Sequence, residues 1–165
     1  MAKAKTKTAP SGDLAPSGQP WAYGVRTWAS DGTSHDGRFK WDLTPGARTE
    51  APDWRSTAEC GHGLHCNRDG WGDWALLDLS IPDKIVGIVR FDPFLSVEID
   101  DGEKTKAPWM EVVMTSREAS AGAIYGFIAT HWRKRLTDIL AAAGPLTKTA
   151  TGDRGHAAAT GDRGH

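Results

Sequence analysis

A chain of 165 residues supports one ordinary domain with tails, because a single hydrophobic core is economical at about 100–200 residues. Hydrophobic residues make up 39%, and no apolar run approaches the roughly 20 residues of a spanning helix, which excludes an integral helical membrane protein. Lys and Arg number 20 against 21 Asp and Glu, so the net charge of -1 offers no global attraction to nucleic acid or an anionic membrane.

Residues 1–19 hold Lys, Thr, Ala, Ser, Gly and Pro, with Leu14 the only large aliphatic side chain apart from Met1. They predict a flexible arm without a secretory signal, hence a cytoplasmic site by default. Trp21–Trp28 is the first strand candidate, and the Asp31-Gly32 and Asp36-Gly37 turns lead to a second at Phe39–Leu43, together a hairpin. Pro45-Gly46 and Pro52 mark a loop running into the cysteine cluster at 60–66. Trp74–Leu79, Ile85–Phe91, Leu95–Ile99 and Trp109–Met114 are apolar, β-branched or alternating, which brings the expectation to about six strands.

Thr115-Ser-Arg-Glu118 has the spacing of a capping box and predicts a helix start there. Ile124, Phe127, Ile128, Trp132, Leu136, Ile139 and Leu140 then recur at three- and four-residue steps, drawing one stripe that faces the sheet until Gly144-Pro145 stops the helix. His131 sits beside the stripe. Arg133-Lys134-Arg135 is the strongest basic cluster, read first as a solvated face and second as a phosphate contact. Residues 145–165 are a linker and two copies of a nine-residue repeat, Thr151–His156 returning identically at Thr160–His165. Two copies lack the neighbours a repeat stacks against, so both ends are expected to order only against another chain, either a protein partner or a second copy.

The chain holds eight Trp beside two Tyr and four Phe, an excess that suits a Trp-filled core or a binding surface. Trp71 and Trp74 are candidates for stacking on a ligand, with core anchoring as the plainer reading. Cys60-Gly-His62-Gly-Leu-His65-Cys66 packs four soft ligand types into one loop. A closed zinc centre takes two ligand pairs, and no second pair occurs, so a structural loop with reduced thiols is expected. The alternative is a partial zinc site of Cys60, His62 and Cys66 completed by His35 or His131.

The string Cys60-x-x-Gly63-Leu64-His65, together with the tail repeats, resembles an uncharacterised family of bacterial and phage domains. That family is marked by Cys-x-x-Gly-[Phe/Leu]-His and often followed by alanine-rich Thr-Gly-Asp repeats. This sequence departs from it in placing Cys66 directly after His65. The resemblance implies a bacterial or phage origin and a globular head at the start of a repeat stalk. A second likeness is to the ADP-ribosyltransferases, where a first-strand Arg, a second-strand residue and a later Glu surround NAD. Arg26, His65 and Glu111 (or Glu98) occur in that order.

The sequence therefore predicts an α+β domain over residues 20–144, a mainly antiparallel twisted sheet packed on one long C-terminal helix. Its expected role is a non-enzymatic structural or interaction module, possible parts of an assembly such as a phage particle included, in a bacterial cytoplasm or a virion. No cofactor is implied by this reading, no membrane, and no nucleic acid. A small NAD-binding transferase is the alternative.

Overall fold

The longest ladder in the protein pairs Ala22–Trp28 with Ile85–Phe91 over all seven residues of each, two runs rich in aromatic and β-branched side chains. The computed structural model describes residues 14–34, 37, 39–77 and 83–143. In chain order its strands are β1 (Ala22–Trp28), β2 (Arg48–Glu50), β3 (Leu64–Arg68), β4 (Ile85–Phe91), β5 (Val97–Ile99), β6 (Lys104–Ala107) and β7 (Trp109–Thr115), followed by the helix α1 (Ala121–Ala143). They form one sheet in the order β2-β7-β4-β1-β3-β6-β5, with every neighbouring pair antiparallel. The fold is α+β, as the pattern of strands followed by one long helix predicts. Among the described residues no helix is long and apolar enough to cross a membrane.

Alternation along the strands splits the core between two faces. Ala22 and Trp28 of β1 join Trp41, Leu43, Leu64, Cys66, Phe91 and Met110 on one face. Tyr23 and Val25 join Ile88, Leu77, Ile124 and Ile128 on the other, where α1 packs. Gly24 is required where β1 passes β3, because a Cβ there would lie 2.3 Å from the Cys66 sulfur. Between β4 and β7 the register slips at Ile88/Val89, which leaves Val113 as the extra residue of a bulge.

Several expectations are corrected. Phe39–Leu43 is not a strand. Thr33 and Lys40 form an isolated bridge, and Trp41 and Leu43 are buried as a cover over the sheet rather than as part of it. The alternation at Phe39, Trp41 and Leu43 is real, but it reports burial without a ladder. Trp74–Leu77 is a 3-10 turn, and Pro93–Leu95 makes another before β5. The short strands β2, β3 and β6 were not predicted. The helix begins at Ala121 rather than after Thr115: Thr115 ends β7 fully buried, and Ser120 caps α1 by accepting the Ala123 N–H at 3.2 Å. Within the segment 1–19 expected to be a flexible arm, Ser17 donates from its backbone N–H (2.9 Å) and its hydroxyl (2.6 Å) to the buried carboxylate of Asp92. The rest of the arm, His35 and the whole repeat tail lie outside the described residues.

Candidate functional site

The cysteine loop is built around Lys106, whose side chain is completely buried. Its ammonium donates to the Glu59 carbonyl at 2.7 Å and the Gly61 carbonyl at 3.3 Å, and lies 5.8 Å from the Trp54 ring centre. A buried ammonium needs such partners, so the loop is tied down over β6 by the charge it covers. Asp53 fixes the other end, accepting the Gly63 N–H at 3.1 Å with His62 Nδ1 at 3.4 Å.

This arrangement separates the proposed zinc ligands. Cys60 is exposed, with its sulfur 3.9 Å from Lys104 Nζ, whereas Cys66 is sealed in the core against Gly24 and burial pushes its thiol up to about 12. Strand alternation is the reason: a residue inside β3 cannot turn out to meet a ligand in the loop before it. Among the described residues no three His, Cys, Asp or Glu side chains gather as a metal site would require. The candidate set Cys60, His62 and Cys66 is therefore not one donor cluster. His131, the suggested fourth ligand, stacks on Phe127 and faces Tyr23 under the helix.

Arg26, His65 and Glu111 are likewise not brought together. Arg26 donates to the His65 backbone carbonyl and lies 4.5 Å over the Trp41 ring. The His65 imidazole is held down to about 4, first by burial and then by Arg26, Lys104 and Lys106. Glu111 is two strands away from β1 and pairs with Arg90 at 2.5 Å. Arg90 stands opposite both Tyr23 and Glu111, so those three share a face, while Arg26, three residues beyond Tyr23, projects from the other. The cavity between sheet and helix, lined by Tyr23, Asp69, Phe127 and His131 among others, is about 10 Å³, at most the space of one water.

The remaining candidates converge on α1. The Asp69-Gly70 turn after β3 has left-handed backbone at both residues, and a Cβ on Gly70 would lie 2.5 Å from Ile128, so the turn seats the helix closely. Arg135 reaches back to Asp69 at 3.5 Å and Glu98 at 3.3 Å, and Arg68 joins the same two carboxylates. Burial raises the Asp69 carboxyl against the lowering pull of these arginines. Arg135 is thus a clamp between helix and sheet. Arg133 and Lys134 remain on the solvent side, Lys134 paired with Asp138 at 2.7 Å. Trp71 stacks on Trp132 at 6.1 Å with an interplanar angle of 24°, and Trp74 donates its indole N–H to the Gly70 carbonyl at 3.0 Å. All three of these indoles remain more than a third exposed, unlike Trp28, Trp41 and Trp109, which are core residues.

The single apolar stripe read from the sequence is two stripes. Ile124, Phe127, Ile128 and His131 face the sheet. Tyr125, Ala129, Trp132, Leu136 and Ile139 lie roughly 100° round the helix, at steps of four, three, four and three residues. Tyr125 is 58%, Trp132 38%, Ile139 45% and neighbouring Leu140 57% exposed. From Thr137 to Ala142 every residue is exposed, so the last two turns project beyond the sheet. Tyr125 and Ala129 were missed because attention to the sheet-facing period absorbed Trp132 and Leu136 into the wrong row. The four-three spacing from Tyr125 was the available signal.

No protein-family model, curated protein or solved structure matches the chain.

Proposed function

We propose that the protein is a non-enzymatic interaction module that docks a protein partner along the outer stripe of α1. The observation supporting this reading is the exposure of Tyr125, Trp132, Ile139 and Leu140 along one side of a helix whose other side already anchors it to the sheet. Surface apolar residues scattered singly carry no message, but a row of them flanked by Arg133 on one side and Arg135 on the other has the composition of an interface: aromatic and aliphatic centre, charged margin. A structural or assembly role in bacteria or a phage particle, in cytoplasm or virion, accords with the motif resemblance. The reading needs no cofactor.

Photo-crosslinking residues placed singly at Ile139 and, on the opposite side of the helix, at Lys134 test the reading in producing cells. Adducts of defined mass from position 139, and few from 134, are expected. Equal labelling from the two positions, or none from 139, would overturn it.

A further inference from the structure

We propose that residues 54–62 are a strap closed over an oxyanion site, in which a phosphate group displaces the strap's own carbonyls from Lys106. Lysine is almost never fully buried without a counter-charge, because taking an ammonium out of water is costly unless it is paired. Lys106 is completely buried, yet its partners are the Glu59 and Gly61 carbonyls and the Trp54 ring, with no carboxylate among them. The neighbouring strands supply none either. His65 of β3 and Val97 of β5 stand opposite Lys106, and Lys104 lies two residues back along β6, so all four side chains share one face of the sheet. Two ammoniums therefore gather there with an imidazole whose Nε2 is buried without a hydrogen-bond partner. The nearby carboxylates are engaged at the margins, Asp100 with Lys104 at 2.8 Å and Asp53 with the Gly63 N–H and His62.

The strap is attached by the same cations. Residues 55–61 are exposed throughout and form no helix or strand. Among the described residues, the hydrogen bonds that hold 54–61 all come from β6 lysines: Lys106 to the Glu59 and Gly61 carbonyls, and Lys104 to the Cys60 sulfur at 3.9 Å. A carbonyl carries only a partial charge, so a doubly charged oxyanion competes for the same ammonium with a stronger, charge-assisted bond. Lysine and histidine donors from adjacent strands suit the oxygens of a tetrahedral anion, whereas a planar carboxylate is met best by an arginine fork. Anion entry frees Glu59 and Gly61, and the strap opens as the site fills. It also offsets the opposition of Lys104 and Lys106 to a proton on His65, so binding draws a proton onto that ring. None of these residues belongs to the α1 stripe, and the site stands independently of it.

Brief trypsin digestion of the full chain tests this, because Arg55 lies exposed in the strap. In inorganic phosphate, compared with sodium chloride at equal ionic strength, cleavage after Arg55 is expected to accelerate saturably by about threefold or more, while a reference peptide is cut at an unchanged rate. In NMR the His65 ring should titrate at higher pH in phosphate than in chloride. Phenyl phosphate in the same assays separates a phosphomonoester from the free ion, the lower half-saturating concentration naming the form bound. Lys106→Met should abolish both responses and leave Arg55 cut quickly in either salt. Lys104→Gln, at the rim of the site, should weaken both responses several-fold, and it keeps the test decisive if loss of Lys106 prevents folding. Equal cleavage rates in phosphate, phenyl phosphate and chloride, with one His65 titration in all three, would overturn the site. So would a phosphate response that Lys104→Gln or a folded Lys106→Met variant leaves intact.

Discussion

The Arg90 guanidinium meets the Glu111 carboxylate at 2.5 Å across β4 and β7, with the Glu111 side chain only 5% exposed. Arg90 also lies 4.4 Å over Trp21, which meets Trp109 edge-on at 5.8 Å, and Arg48 lies 4.1 Å over Trp109. Glu111 is therefore the buried counter-charge of a half-buried aromatic and arginine cluster. Glu111→Ala strands a largely buried guanidinium and is expected to cost about 3 kcal/mol or more, measured by denaturant unfolding. The double change Glu111→Leu with Arg90→Met should recover much of that loss, since it removes both charges. A single variant within about 0.5 kcal/mol of the parent would contradict the assignment.

The two cysteines should differ sharply in reactivity. Cys60 is exposed and Cys66 is buried, its thiol pushed up to about 12 by desolvation, so thiolate is scarce there at neutral pH. One equivalent of a thiol reagent is expected to react in native buffer and two in denaturant. Mapping the first adduct to Cys66 would contradict the packing of β3 against Gly24. Gly24→Ala forces Cβ into that sulfur and should destabilise the protein by about 1–3 kcal/mol while exposing the second thiol.

Where local chemistry and tertiary packing agree, the sequence was legible. β1, β4 and β7 were found within one residue because their periodicity, β-branched content and bounding prolines point the same way. β6 reads Lys-Thr-Lys-Ala, which no hydrophobic pattern would mark, yet Thr105 and Lys106 are fully buried because a backbone-paired strand and the carbonyls of the cysteine loop satisfy them. β3 was hidden inside a string whose Cys and His drew attention to metal chemistry. Thr115–Glu118 had the residues of a capping box, but Thr115 was already committed to the ladder opposite Gly87, a long-range pairing that short-range spacing does not reveal. The site was half visible: Trp71 and Arg133 stand out in the sequence, but Trp132 reads as part of the sheet-facing row, because which side of the helix the sheet occupies is a tertiary fact.

Core and surface positions on α1 predict different losses. Sequence periodicity alone puts Trp132 in the buried stripe, where truncation to Ala would cost roughly 3–5 kcal/mol. At 38% exposure, with Trp71 as its stacking partner, Trp132→Ala is instead expected to cost about 1–2 kcal/mol in the monomer. Ile128→Ala, at 7% exposure against the Gly70 turn, should cost about 2–4 kcal/mol. Denaturant midpoints order the two variants. A larger loss at Trp132 would place the outer stripe in the monomer's core.

The last expectation is a dependence of stability on pH set by His65. Its imidazole is held down to about 4 in the folded state, against about 6.5 when unfolded, because burial and the nearby cations Arg26, Lys104 and Lys106 all oppose a proton. Above pH 6.5 the ring is neutral in both states and its packing is retained in full. As pH falls from 6.5 toward 4 the unfolded chain takes up the proton first, so stability declines through that window, and below about 4 this residue adds no further loss. The total is on the order of 2–3 kcal/mol. His65→Gln keeps an uncharged polar side chain and should flatten the decline between pH 6.5 and 4. Unfolding free energies of parent and variant at pH 7, 6, 5 and 4.5 provide the comparison, with the His65 ring proton shift in NMR as a direct reading of the folded-state titration. Parallel curves for the two proteins, together with a ring that titrates near 6.5, would mean that β3 does not bury His65 beneath the loop.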